Sequence, residues 1–167
     1  MSHLQNTALN ILKTGSNVFI TGSAGTGKTF LLNQFTFYLK SRKIIPTVVA
    51  PTGIAASHLQ GQTIHSYFSL GIRSEIDDYY IESLLEKKYL QTRFSKLKVL
   101  IVDEISMVSP EMFSAMDTIL RAFKKIIFHL AAYRLYFLGI FFNFHLSQEF
   151  LKINALLGNL RLGKSYN

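Results

Sequence analysis

The sequence predicts an α/β fold, a parallel sheet with helices on both faces, and three observations carry that reading. Residues 18–32, V-F-I-T-G-S-A-G-T-G-K-T-F-L-L, hold the phosphate-loop pattern G-x-x-x-x-G-K-[ST] between a short apolar strand and a helix whose apolar residues recur at helical spacing. Apolar, β-branched runs at 44–50 and 98–102 alternate with helical stretches, which is the pattern of a parallel sheet. The second run ends in Asp103-Glu104, and sheets of this kind bind ligands at the carboxyl ends of their strands.

The elements follow in order. Residues 4–12 read as a short helix, closed by the turn Thr14-Gly15-Ser16-Asn17. The first strand, the phosphate loop and its helix run to about Arg42. A second strand covers 44–50, and Pro46 near its start predicts an irregular beginning or an edge position. The segment P-T-G-I-A-A at 51–56 reads as a loop opening a short helix, and G-Q-T-I-H-S-Y-F follows at 61–68. Residues 74–89 form a charged, amphipathic helical stretch, and its acidic-then-basic part at 75–88 is most simply a solvated helix face. After the strand at 98–102, Ser109-Pro110-Glu111 starts a helix that runs to about Lys125, with serine as cap and proline at its first position.

A chain of 167 residues suits one domain with a real core. The absence of cysteine excludes a disulfide framework and a thiolate metal site, and fits an intracellular protein. The formal charge of +8 favours a polyanionic partner. The start M-S-H-L-Q-N-T-A-L-N shows no basic stretch followed by an apolar run, so no secretory leader is expected.

The motifs point to nucleotide chemistry. Glycines let the backbone turn tightly and approach a polyphosphate, whose charge is met by inward N–H groups and the next helix's N-terminus. Gly22, Gly27, Lys28 and Thr29 fill the pattern, with Lys28 able to reach β- and γ-phosphates and the Thr29 hydroxyl able to ligate Mg²⁺. Asp103 would hold Mg²⁺, directly or through water, opposite Thr29, and Glu104 would orient and deprotonate the attacking water. Pro51-Thr52-Gly53 offers a hydroxyl and free N–H groups to a phosphate, or is a plain strand-to-helix turn. On its own His65 reads as a satisfied or solvated histidine. Tyr67 and Phe68 could stack on bases, yet beside Ile64 they read more simply as core.

Taken together, G-S-A-G-T-G-K-T, A-P-T-G-I-A-A, G-Q-T-I-H-S-Y-F and V-D-E-I-S-M-V resemble, in order and spacing, the superfamily 1 DNA helicases of the PIF and RecD type, over about residues 4–125. The resemblance implies a P-loop NTPase domain of RecA-like fold, here an incomplete one, and an ATP-dependent DNA helicase moving 5′ to 3′ in repair, recombination or genome maintenance. It implies that Gly25, Thr26, Gly27, Lys28 and Thr29 bind ATP phosphates and that Gln5, in L-Q-N-T-A-L, reads adenine. It implies that Pro51, Thr52 and Gly53 grip a single-stranded DNA backbone and that Thr63, His65 and Ser66 add contacts to it. ATP and Mg²⁺ are the implied cofactors. Nucleus or mitochondrion would be the compartment in a eukaryote, the cytoplasm otherwise. No partner protein can be inferred. A non-translocating P-loop ATPase, or a non-catalytic nucleotide- or nucleic-acid-binding fragment, remains as an alternative.

From residue 126 the pattern breaks into I-I-F-H-L-A-A-Y-R-L-Y-F-L-G-I-F-F-N-F-H-L. That is long enough to span a bilayer, but His129, Arg134, Asn143 and His145 make it a poor span, so no membrane is expected. The family carries a G-D-x-x-Q-L-P-P motif after its acidic pair, whose glutamine senses the γ-phosphate, and then a second RecA-like domain with arginines that close on ATP. Neither is written in this chain. When each codon of residues 131–146 begins one nucleotide earlier, permitted synonymous codons give G-G-L-Q-V-I-F-F-G-D-F-F-Q-L-P-P. Gly139-Ile140 becomes Gly-Asp, Asn143 becomes the glutamine, and His145-Leu146 become the prolines. Lys124-Lys125-Ile126 can be written as an adenine run, a place to lose one base. The expectation is a helicase ATPase domain over 1–125 and an out-of-frame apolar tail over 126–167, leaving the domain without its sensor strand.

Overall fold

The computed structural model describes residues 1–23, 25–71, 76–126 and 134–138. Five parallel strands, β1 (Val18–Ile20), β2 (Thr47–Ala50), β3 (Gln62–Thr63), β4 (Val99–Val102) and β5 (Arg134–Leu138), form one sheet in the order β1-β5-β4-β2-β3. The predicted α/β class holds. All four residues of β4 are buried, as a strand covered on both faces requires. Alternation sends Val99 and Ile101 to one core and Leu100 and Val102 to the other.

The first face is covered by α1 (His3–Lys13) and α2 (Lys28–Ser41), through Leu9, Leu12, Leu31, Leu32, Phe35 and Leu39. The second, larger core lies under α4 (Ile64–Phe68), α5 (Asp78–Leu85), α6 (Lys88–Ser95) and α7 (Pro110–Ile126). Its centre is aromatic: the Phe94 and Phe123 rings stack at 4.3 Å, and Phe68 lies 5.8 Å from Phe94. Tyr67 and Phe68 are both buried there, so they belong to the core and are not offered to bases. The short α3 (Gly53–His58) follows β2 at the sheet's far edge.

Several expectations need correction. β2 begins only at Thr47 and lies between β4 and β3, so Pro46 marks an irregular start and not an edge. The stretch at 74–89 is not one helix. Leu84 and Leu90 are both fully buried in the same core, yet six residues of unbroken helix would turn them about 240° apart. A break at Glu86-Lys87 resets the phase, with the Gln91 side-chain amide donating to the Leu85 carbonyl at 2.6 Å. Residues 61–68, left without assigned elements, form β3 and α4.

The largest correction concerns the segment after α7. β5 pairs with both β1 and β4 and fills the gap between them, so the sheet does not lack a strand there. An inner parallel strand needs a continuous apolar run and no alternation, and R-L-Y-F-L at 134–138 lies within such a run. Ile140, Asn143, His145 and Leu146 lie outside the described residues, as do the rest of 139–167. Among the described residues no helix is long and apolar enough to cross a membrane.

Candidate nucleotide and nucleic-acid site

The sheet order sets the site. The loops after β1, β4, β2 and β3 all leave from carboxyl ends of parallel strands, and they carry, across the sheet, the phosphate loop, Asp103-Glu104, Pro51-Thr52-Gly53 and the run Thr63 to Ser66.

At the phosphate loop, Gly25 and Gly27 take left-handed φ values of +77° and +83°, which side chains resist. A Cβ on Gly27 would also stand 2.5 Å from the Gln5 side-chain nitrogen. α2 begins at Lys28, so its unpaired N–H groups face the loop. The Lys28 ammonium folds back across the loop and donates to the carbonyls of Gly22 and Ser23, both at 2.6 Å. Burial lowers its pKa, while Glu104 and Asp103 oppose that shift with their charge. Thr29 follows with its side chain exposed.

Gln5 reaches the same loop from α1. Its side-chain oxygen accepts from the Ser2 N–H at 2.9 Å and its nitrogen donates to the Thr26 carbonyl at 3.1 Å. The Ser2 hydroxyl accepts from the Gln5 N–H in return, completing a capping box. One lone pair and one N–H of the Gln5 amide are left over from these two bonds.

Asp103 is buried at the end of β4, its N–H tied to the Val49 carbonyl of β2 at 2.9 Å. Its carboxylate accepts from the Glu104 N–H at 2.9 Å. Glu104 itself is left-handed at φ +50°, a conformation uncommon outside glycine that turns its side chain out of the strand's path. Burial raises the pKa of both carboxyl groups, and for Glu104 the neighbouring Asp103 charge adds to it. Lys28 and His58 pull both back down. The sequence reading missed His58, which lies at the end of α3, because nothing in A-A-S-H sets it apart.

On the other side, Thr52 and Thr63 are N-caps of α3 and α4, their hydroxyls accepting from Ala55 and Ser66 N–H groups at 3.2 Å each. Each hydroxyl keeps its own proton to donate outward. Val49 pairs with Gln62 and Ala50 with Thr63, so both caps project from adjacent strand ends. That closeness needs Gly61, where a Cβ would stand 2.6 Å from the Val48 carbonyl oxygen. Pro51 is half-buried, Gly53 borders open space, and His65 and Ser66 are exposed. The structure thus brings Lys28, Thr29, Asp103 and Glu104 to one region and sets Thr52, Gly53, Thr63, His65 and Ser66 beside it.

The sequence model of the PIF1-like helicases matches residues 3–133. The chain belongs to that family. It is 45% identical over 121 residues to an ATP-dependent DNA helicase Pif1 of Psychrobacter, covering 72% of this chain and 18% of that protein. The Pif1 helicase of Candida albicans superposes with a TM-score of 0.72 at 31% identity, over 83% of this chain and 32% of that one. A Bacteroides Pif1 helicase in complex with ADP-AlF3 and single-stranded DNA is 26% identical with a TM-score of 0.58, over 92% of this chain and 36% of that one. The chain therefore spans about a fifth of the curated relative and about a third of the solved structures it matches.

The donor set suits the implied cofactors. A hydroxyl on the first turn of a helix and a carboxylate at a strand end are hard oxygen ligands, and Mg²⁺ asks for a few of these while phosphates and water complete its shell. Among the described residues no cluster of three or more His, Asp or Glu could hold a metal by itself.

Proposed function

We propose that this chain is the nucleotide-binding part of an ATP-dependent DNA helicase. It binds Mg·ATP between the phosphate loop and Asp103-Glu104, and lays one side of a single-stranded DNA path over Pro51, Thr52, Gly53, Thr63, His65 and Ser66. The observation that carries this is that both sets of residues leave from carboxyl ends of strands in one parallel sheet, the phosphate loop after β1, Asp103-Glu104 after β4 and the strand-contact residues after β2 and β3. Lys28 leaves its loop carbonyls to meet the β- and γ-phosphates, with Thr29 and Asp103 as the protein's Mg²⁺ ligands. The metal, when bound, neutralises charge on the phosphates. Glu104 orients and deprotonates the attacking water, and its raised pKa makes it a better base than an ordinary carboxylate. Gln5, held over the loop, turns its free amide edge to adenine. Hydrolysis at helicase rates, and 5′-to-3′ unwinding, need the arginines of a second RecA-like domain, so the isolated chain turns over negligibly. Work on DNA belongs inside the cell, in the nucleus or mitochondrion of a eukaryote or in a bacterial cytoplasm.

Calorimetry tests the site. Lys28→Ala removes charge-assisted bonds worth about 1.5–3 kcal/mol and should weaken Mg·ADP roughly 10- to 150-fold. Equal affinity in the two proteins would refute the assignment.

We also infer that the coding frame shifts after about Lys125, so that 126–167 is out-of-frame sequence. What supports this is the motif that the shifted codons of residues 131–146 spell, in order and in register. Sequencing the locus and transcript decides it: a shifted frame that lacks the motif and stops promptly defeats the idea.

A further inference from the structure

α4 carries Thr63, His65 and Ser66 on or beside a helix of only five residues. So short a helix has no stability of its own, and its terminal carbonyls need partners. The partners come from the excursion at 76–95. One guanidinium nitrogen of Arg93, on α6, donates to the Tyr67 carbonyl at 2.6 Å and the Ser66 carbonyl at 3.3 Å. The guanidinium lies over the Tyr67 ring at 5.3 Å and the Tyr89 ring at 5.5 Å. Ser69, left-handed at φ +55°, ends the helix; its carbonyl accepts from the Tyr80 hydroxyl of α5 and its hydroxyl meets that of Tyr89 at 3.3 Å. α6 is itself rooted in the core by Leu90 and Phe94.

We propose that Arg93 is a positioning residue for single-strand binding, and that α5 and α6 are a bracket that presents α4 to nucleic acid rather than a merely solvated face. The proposal rests on the reading that Thr63, His65 and Ser66 contact the strand. Arg93 acts from behind: Tyr67 and Phe68 fill the buried side of α4 while His65 and Ser66 stay exposed on the other. A cation at the C-terminal end of a helix also interacts favourably with its dipole. Lysine cannot replace it, because a single ammonium does not lie flat between two rings while reaching two carbonyls.

The test uses the 167-residue chain, a fluorescein-labelled oligothymidylate and Mg·ADP. Arg93→Met keeps the apolar stem and removes the donors. It should weaken oligothymidylate binding about tenfold, leave Mg·ADP affinity within about twofold, and leave the slope of log affinity against log salt unchanged. Arg93→Lys should recover only part of the loss, and it keeps the test open should the methionine variant fold poorly. A salt slope that drops by about one unit would mean that Arg93 touches a phosphate itself, overturning the positioning role. Full recovery in Arg93→Lys, or loss of both affinities together, would overturn it as well, the first assigning the effect to charge and the second to general destabilisation. His65→Ala combined with Ser66→Ala separates the underlying reading: if that pair leaves DNA affinity intact, the strand-contact assignment fails; if it weakens binding and Arg93→Met does not, only the bracket fails.

Discussion

The phosphate loop and the strand-contact segments sit at opposite ends of one sheet, and they are held in different ways. The loop is built from consecutive residues: glycines at 25 and 27 take left-handed turns, the Lys28 ammonium ties back to the carbonyls of Gly22 and Ser23, and Gln5 reaches in from α1. The strand-contact end is the reverse. Thr52 and Thr63 cap two short helices, and what fixes the second of these comes from Tyr80, Tyr89 and Arg93, well downstream. An anion site can thus be written locally, because backbone N–H groups and one lysine suffice. A surface that must match an extended polymer borrows its rigidity from the core.

The largest expected effect breaks both ends at once. Phe94 is fully buried and stacks on Phe123, so Phe94→Ala should lower unfolding stability in urea by about 3–5 kcal/mol and remove both binding activities. If nucleotide binding alone survived at full strength, the two ends would not share one cooperative core. Gly27→Ala should separate them. It forces a side chain into a left-handed conformation, costing roughly 1–2 kcal/mol, and pushes against the Gln5 amide. Mg·ADP affinity by calorimetry should drop while oligothymidylate binding is kept.

The opposite separation is smaller. Thr52→Ala removes the cap of α3, worth about 1 kcal/mol, together with its outward O–H, and should weaken oligothymidylate binding measured by anisotropy with Mg·ADP affinity unchanged. The smallest effect concerns pH. The Asp103 carboxyl is held above its ordinary 3.8 by burial, so its ionisation weakens the fold. The stability it contributes is present below the unfolded value and lost as pH rises through the raised one. Asp103→Asn should therefore melt slightly higher than the parent at neutral pH, and the gap should close as the medium is acidified. A gap that stays constant down to pH about 3 would contradict the desolvation account.

What could be read from residues alone follows the same division. The phosphate loop, Asp103-Glu104 and the Ser109-Pro110 start of α7 are short patterns whose chemistry is complete within a few positions, and the structure has them in those places, Ser109 accepting the Met112 N–H at 3.2 Å. The break between α5 and α6 was not visible, because the phase of Leu84 against Leu90 matters only once both face one core. Arg93 lies beyond the amphipathic stretch at 74–89 and carried no signal, since its partners are carbonyls, which every residue has. His58 stands near the carboxylates because α3 leaves the end of β2, the strand beside β4. β5 was the hardest, since an inner strand carries no alternation to detect and its neighbours β1 and β4 lie far upstream.

That last feature bears on how the chain is assembled during synthesis. β1 touches the rest of the sheet only through β5, with Val18 opposite Tyr136. Until residues 134–138 have emerged from the ribosome, β1 lacks the strand it pairs with, although α1 and α2 can already pack on Val99 and Ile101 of β4. The edge of β4 that will receive β5 stays unpaired, open to strands of neighbouring chains. Closing so distant a pair is slow, and the waiting intermediate is the kind that chaperones retain. The nucleotide site, although written almost wholly in the first hundred or so residues, is completed last.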